Sequence, residues 1–94
     1  MSLLLFKFSE RFVGGWISAQ SFSDAYVQLW KIERDCDLLR KGFPGLDECL
    51  STIFCLADMY EPDEAARESY EFGDEDLLRE VSNVLAAFDK SVFD

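Results

Sequence analysis

The sequence predicts an all-α protein, an antiparallel four-helix bundle folded as a single domain over residues 1–94. Three observations carry that expectation. Apolar residues recur at intervals of three and four along most of the chain. Glycine and proline stand between such stretches, at Gly14-Gly15, Gly42 to Gly45, Pro62 and Gly73. The strict alternation expected of strands is almost absent, and short connections between amphipathic helices favour antiparallel neighbours.

The elements follow in order. Leu5, Phe8 and Phe12 fall at i, i+3 and i+7, so residues 2 to 13 read as a first helix that Gly14-Gly15 stops. Ser18 or Ser21 then caps a second helix, with Ser21-x-x-Asp24 as an acidic capping box and Phe22, Leu29, Ile32, Cys36 and Leu39 on its apolar face. Gly42 and Pro44 end it. Leu46, Cys49, Leu50, Ile53, Phe54 and Ala57 give a third helix to about Tyr60, which Glu61-Pro62 interrupts. Asp63 to Gly73 carries no sustained apolar stripe, although Ala65, Ala66 and Tyr70 allow a short helical turn. Asp74, Glu75 and Asp76 suit a helix N-terminus, and Leu77, Leu78, Val81, Val84, Leu85, Phe88 and Val92 form the broad face of a fourth helix.

Composition sets limits on function. With 94 residues, 49% of them apolar, and nine Phe, the chain can bury one real core and fold alone. The 15% aromatic content argues against disorder despite the acidity. There is no histidine, which removes the commonest general base and the commonest metal ligand. Cys36, Cys49 and Cys55 are odd in number and form no CxxC pair, so three buried reduced thiols and a cytoplasmic setting are expected. The apolar run Leu3 to Phe6 is cut short by Lys7, Glu10 and Arg11, against both export and membrane spanning.

Charge is the most informative feature. Of the formal net charge of -10, the stretch Asp58 to Glu80 carries -8, from ten carboxylates against Arg67 and Arg79. The acidity is concentrated. A dense negative field on a small protein points to a strongly positive partner, or to one that normally grips phosphate.

Other chemistry is disfavoured. A calcium loop needs glycine sixth and glutamate twelfth, whereas Glu71-Phe72-Gly73-Asp74-Glu75-Asp76 has glycine third. Three scattered cysteines without histidine make a poor zinc site, and no metal or cofactor is expected. Direct nucleic-acid binding needs lysine and arginine, which number nine against nineteen acids. A carboxylate cluster can instead imitate phosphates and occupy a basic groove. The plainer reading is a solvated face, with Asp74 to Asp76 serving the helix dipole.

The run Phe12-Val13-Gly14-Gly15-Trp16-Ile17-Ser18-Ala19-Gln20-Ser21-Phe22-Ser23, followed by Met59-Tyr60-Glu61-Pro62-Asp63, Tyr70-Glu71 and Leu78-Arg79-Glu80-Val81, resembles the colicin D immunity protein family. The likeness spans most of the chain and rests on the shared order and spacing of short pieces. It implies a small all-helical inhibitor, not an enzyme, that binds the basic C-terminal nuclease domain of a tRNA-cleaving bacterial toxin. In the family, acidic side chains enter the toxin's basic cleft in place of the tRNA backbone. Relatives also partner toxins of contact-dependent growth inhibition systems. The chain departs from the colicin D inhibitor in a longer, more apolar N-terminal segment and in the stretch from Asp35 to Phe43, which leaves the cognate toxin open.

On that resemblance Glu61 and Asp63 match the acidic motif, with Asp58 before them and Glu71 after, as carboxylates for close contact. Tyr60 and Tyr70 are expected as aromatic anchors, or else as core packing at a helix end. Glu64, Glu68 and Asp74 to Asp76 are expected to steer the encounter. The expected partner is a cognate nuclease domain, met by a monomer in a 1:1 complex without nucleic acid or membrane. The alternative is an acidic nucleic-acid mimic that inhibits a different basic nucleic-acid-binding protein.

Overall fold

The computed structural model describes residues 3–35, 45–69 and 71–88. Four α-helices, α1 (Leu3–Val13), α2 (Ala19–Asp35), α3 (Leu46–Asp58) and α4 (Asp74–Ala87), form an all-α bundle, with a 3-10 turn at Glu64–Ala66. The described residues contain no strand, and a single isolated parallel bridge pairs Tyr60 with Phe72.

Helix α1 buries Leu5, Phe6 and Phe12 and leaves Leu4 59% exposed. Ser9 is also buried, and its hydroxyl donates to Leu5 O at 2.9 Å, which satisfies it inside the core. The helix ends in a Schellman motif. Gly15 N–H donates to Phe12 O at 3.1 Å and Trp16 N–H to Arg11 O at 3.0 Å, with Gly15 at φ 89°. The expected Gly14-Gly15 stop is thus made by the left-handed Gly15.

At the start of α2, Ser21 N–H donates to Ser18 Oγ at 3.2 Å, which makes Ser18 the cap. Ser21 lies inside the helix, so the box expected at Ser21-x-x-Asp24 does not form. The buried face also differs from expectation. Phe22 is buried as predicted, but Leu29 is only half-buried and Ile32 is 58% exposed, while Ala19, Ser23, Tyr26 and Glu33 turn inward. Hydroxyls account for the rotation. Ser23 Oγ donates to Ala57 O at 2.8 Å and Tyr26 Oη to Leu50 O at 2.7 Å, so two polar groups read the backbone of α3. Burial pushes the Tyr26 hydroxyl far above its ordinary value, with the nearby Cys49 and Glu33 adding to it. Cys36 and Leu39 lie outside the described residues.

Helix α3 follows its sequence pattern closely: Leu46, Cys49, Leu50, Ile53 and Ala57 are buried, and half-buried Phe54 stacks on Trp30 at 4.1 Å. Each fully buried aliphatic side chain of this kind contributes roughly 1.5–3 kcal/mol. The expectation of three buried thiols fails at Cys55, which is exposed because it sits two residues past Ile53, on the far side of the helix. Burial pushes the Cys49 thiol up to about 11. In α4, Leu77, Val81 and Leu85 are buried, whereas Leu78 is 39% exposed. The helix stops at Ala87. Phe88 is extended (ψ 133°), outside the helical face predicted for it, and its ring lies 5.4 Å from Phe6. Val92 lies outside the described residues.

These contacts fix an antiparallel order. Phe12 stacks on Phe22 at 4.3 Å, Ser23 and Tyr26 reach α3, Tyr60 reaches Asp74, and Phe88 returns to Phe6. The α1–α2 and α3–α4 connections therefore share one end of the bundle.

Candidate partner-binding site

The acidic stretch begins at that end with an unfavourable placement. Asp58 is the last residue of α3, where the helix dipole is negative, and the last turn holds no basic residue. The chain then leaves the helix and is pinned at its base: Phe72 N–H donates to Met59 O at 2.9 Å and Glu61 N–H to Phe72 O at 3.0 Å. The described residues 62–69 bulge out from this base.

Arg67 holds the bulge from within. Its Nε and Nη2 both donate to the backbone oxygen of Glu61, at 3.2 and 3.0 Å, and its guanidinium lies over Gly73 so closely that a Cβ there would meet it at 2.9–3.0 Å. The one cation between Asp58 and Glu71 is thus spent on structure. Sequence reasoning did not single out Arg67 for this role, and the glycine six residues after it was the available signal.

The predicted carboxylates divide by what they already bind. Glu61 Oε1 accepts from Asp63 N–H at 3.0 Å, Asp63 Oδ1 accepts from Ala65 N–H at 3.0 Å and caps the 3-10 turn, and Glu71 Oε1 accepts from Glu68 N–H at 2.8 Å. Each keeps a second oxygen. Asp58, Glu64 and Glu68 are exposed, and their carboxylates have no hydrogen-bond or ionic partner among the described residues. At the start of α4, Asp76 accepts from Gly73 N–H at 3.2 Å and pairs with Arg79 at 3.3 Å. Glycine has no side chain to return the first bond, so only half of a capping box forms.

Tyr60 is half-buried against the core, and its hydroxyl donates to Asp74 Oδ1 at 2.5 Å. Partial burial, the hydrogen bond to Asp74 and the charges of Asp74 and Asp24 push it up to about 12, against a smaller opposing pull from Arg67. An open cleft beside it is lined by Asp24, Gln28, Asp58 and Tyr60, which adds an α2 carboxylate to the acidic end. A sequence separation of 34 residues between Asp24 and Asp58 hid that pairing. Tyr70 lies outside the described residues.

Among the described residues, no group of three or more Cys, Asp or Glu is arranged to hold a metal ion, and no helix is long and apolar enough to cross a membrane.

The family model of bacterial self-protective colicin-like immunity matches residues 1–88. The chain belongs to that family. The match takes in all four helices of the immunity protein and the pinned acidic bulge. No curated protein and no solved structure matches the immunity protein. Membership in a self-protective family implies a cognate toxin as its partner.

Proposed function

We propose that this immunity protein neutralises a tRNA-cleaving nuclease domain by filling its basic active-site cleft with carboxylates that take the places of tRNA phosphates. The observation that carries the reading is the turning of Arg67 into the base of the bulge, which leaves the outer face of residues 58–71 anionic. Asp58, Glu64 and Glu68 supply charge that has no partner among the described residues, while Glu61, Asp63 and Glu71 are held by backbone bonds through one oxygen each. Side chains already held in place lose less entropy on binding.

The inhibition is stoichiometric and without cofactor. Exposed charges steer the encounter across a screening length of about 8 Å at physiological salt. A monomer in a 1:1 complex, acting in the cytoplasm where tRNA is found, suffices, whether the toxin is a secreted colicin or a contact-dependent one. The test is titration of the immunity protein into a tRNA cleavage reaction run by the nuclease domain of its cognate toxin. Activity should fall linearly to zero at one equivalent, and excess tRNA should slow the onset of inhibition. Full cleavage at several equivalents would refute the reading.

A further inference from the structure

Trp16 is 80% exposed, at a position where the local motif ordinarily hides an apolar side chain. It is the second residue beyond the cap in the Schellman turn that ends α1, and such a residue usually packs on the one five positions earlier. Here that position is Arg11, a charged and exposed residue, so the indole gains no such cover. The backbone beneath it is nonetheless fixed. Its backbone N–H is bonded to Arg11 O at 3.0 Å, and its Cδ1 lies 3.3 Å from where a Gly14 Cβ would stand.

The antiparallel order places Trp16 at the same end of the bundle as the acidic bulge, since both connections lie there. The charge differs between the two sides of this end. Lys7, Glu10 and Arg11 line an open cleft of mixed charge with Trp16 on the α1 side, while Asp24 and Asp58 line the cleft beside Tyr60 on the α2–α3 side. A large, exposed aromatic side chain on an ordered turn, bordering a charged surface, has the character of an interface anchor.

We propose that Trp16 is the apolar anchor of the toxin complex, seated in an apolar recess at the rim of the basic nuclease cleft while the bulge carboxylates enter the cleft itself. The proposal rests on the toxin-binding reading above. The charge contrast also bears on orientation: the toxin surface is basic on the bulge side of the recess and of mixed charge where it faces Lys7, Glu10 and Arg11.

The experiment measures binding kinetics of the purified toxin nuclease domain to the wild type, Trp16→Ala, Trp16→Phe and the double variant Glu64→Lys/Glu68→Lys. Trp16→Ala should weaken binding by roughly thirtyfold or more, through faster dissociation, with melting temperature and salt dependence unchanged. Trp16→Phe should recover most of the loss. Immunity protein labelled with 5-fluorotryptophan gives a second readout, in which the Trp16 fluorine resonance should shift and lose solvent contact in the complex. If Trp16→Ala binds like wild type while the charge variant binds weakly, or if the resonance stays put in a formed complex, the anchor is wrong and toxin binding stands. A wild type that does not bind the nuclease domain overturns both.

Discussion

The Tyr60 hydroxyl donates to Asp74 Oδ1 at 2.5 Å, joining the segment that leaves α3 to the first residue of α4. The bond closes the base of the acidic bulge alongside the Tyr60–Phe72 bridge.

Tyr60→Phe should cost about 1 kcal/mol of stability at neutral pH. The pH dependence follows from the hydroxyl's being pushed up to about 12 in the fold, against an ordinary value near 10. The folded state then holds the proton more tightly than the unfolded chain. The contribution is complete below about pH 10 and is lost as pH rises toward 12. Urea melts of both proteins at pH 8 and pH 11 check this, and the gap between them should narrow at the higher pH. A constant gap would contradict the assignment.

Arg67 and Gly73 should behave as one unit. Arg67→Ala removes two donors from Glu61 O and should cost about 1–2 kcal/mol. Gly73→Ala forces the guanidinium aside and should cost about 1 kcal/mol, since a flexible side-chain tip can yield. Gly73 has φ -91°, which any residue adopts, so backbone strain adds nothing, and the cost lies in the contact and in the loss of a favoured N-cap residue. In the Arg67→Ala background, Gly73→Ala should therefore cost less than it does in the wild type. A double-mutant cycle from chemical denaturation measures the coupling, and additive effects would contradict the contact.

Ser23→Ala and Tyr26→Phe should each cost about 1 kcal/mol, as buried hydroxyls that bond to α3 carbonyls. The acceptors are separate carbonyls, seven residues apart on α3, so the two effects should add within about 0.5 kcal/mol. Thermal melts of the single and double variants decide.

These hydroxyls also mark how far the sequence could be read. Helices α1, α3 and α4 were legible from spacing because their buried faces are made of Leu, Ile, Val and Phe, as at Leu50, Ile53 and Val81. The face of α2 was misread because the packing of Ser23 and Tyr26 is decided by acceptors on α3, which no local pattern reveals. Ile32, apolar and on a helical spacing, looked like core and lies at the surface. The site divides in the same way. The charge density from Asp58 to Glu80 was plain in the sequence, but the loop geometry depends on a basic side chain meeting a glycine at Arg67 and Gly73. The fold also brings Asp24 and Trp16 to the acidic end, which depends on topology and not on sequence proximity.

The division of carboxylates predicts two kinds of charge variant. Glu64→Lys/Glu68→Lys removes carboxylates that bind nothing among the described residues, so stability should stay within about 0.5 kcal/mol of wild type. Its effect should fall on association, slowing it about tenfold at low salt, with the difference shrinking as ionic strength rises from about 0.05 to about 0.5 M. Glu61→Lys/Asp63→Lys removes the oxygens that hold Asp63 N–H and cap the 3-10 turn, so stability should fall by about 1 kcal/mol. Binding should weaken by about 2–5 kcal/mol and mainly through dissociation, because these side chains are held in position and buried on contact. Stopped-flow association and dissociation with the nuclease domain, beside denaturant melts of each free variant, separate the two patterns. If the Glu61 and Asp63 variant lost stability but kept wild-type dissociation, those residues would serve only to shape the bulge, and the contact would pass to Asp58, Glu64 and Glu68.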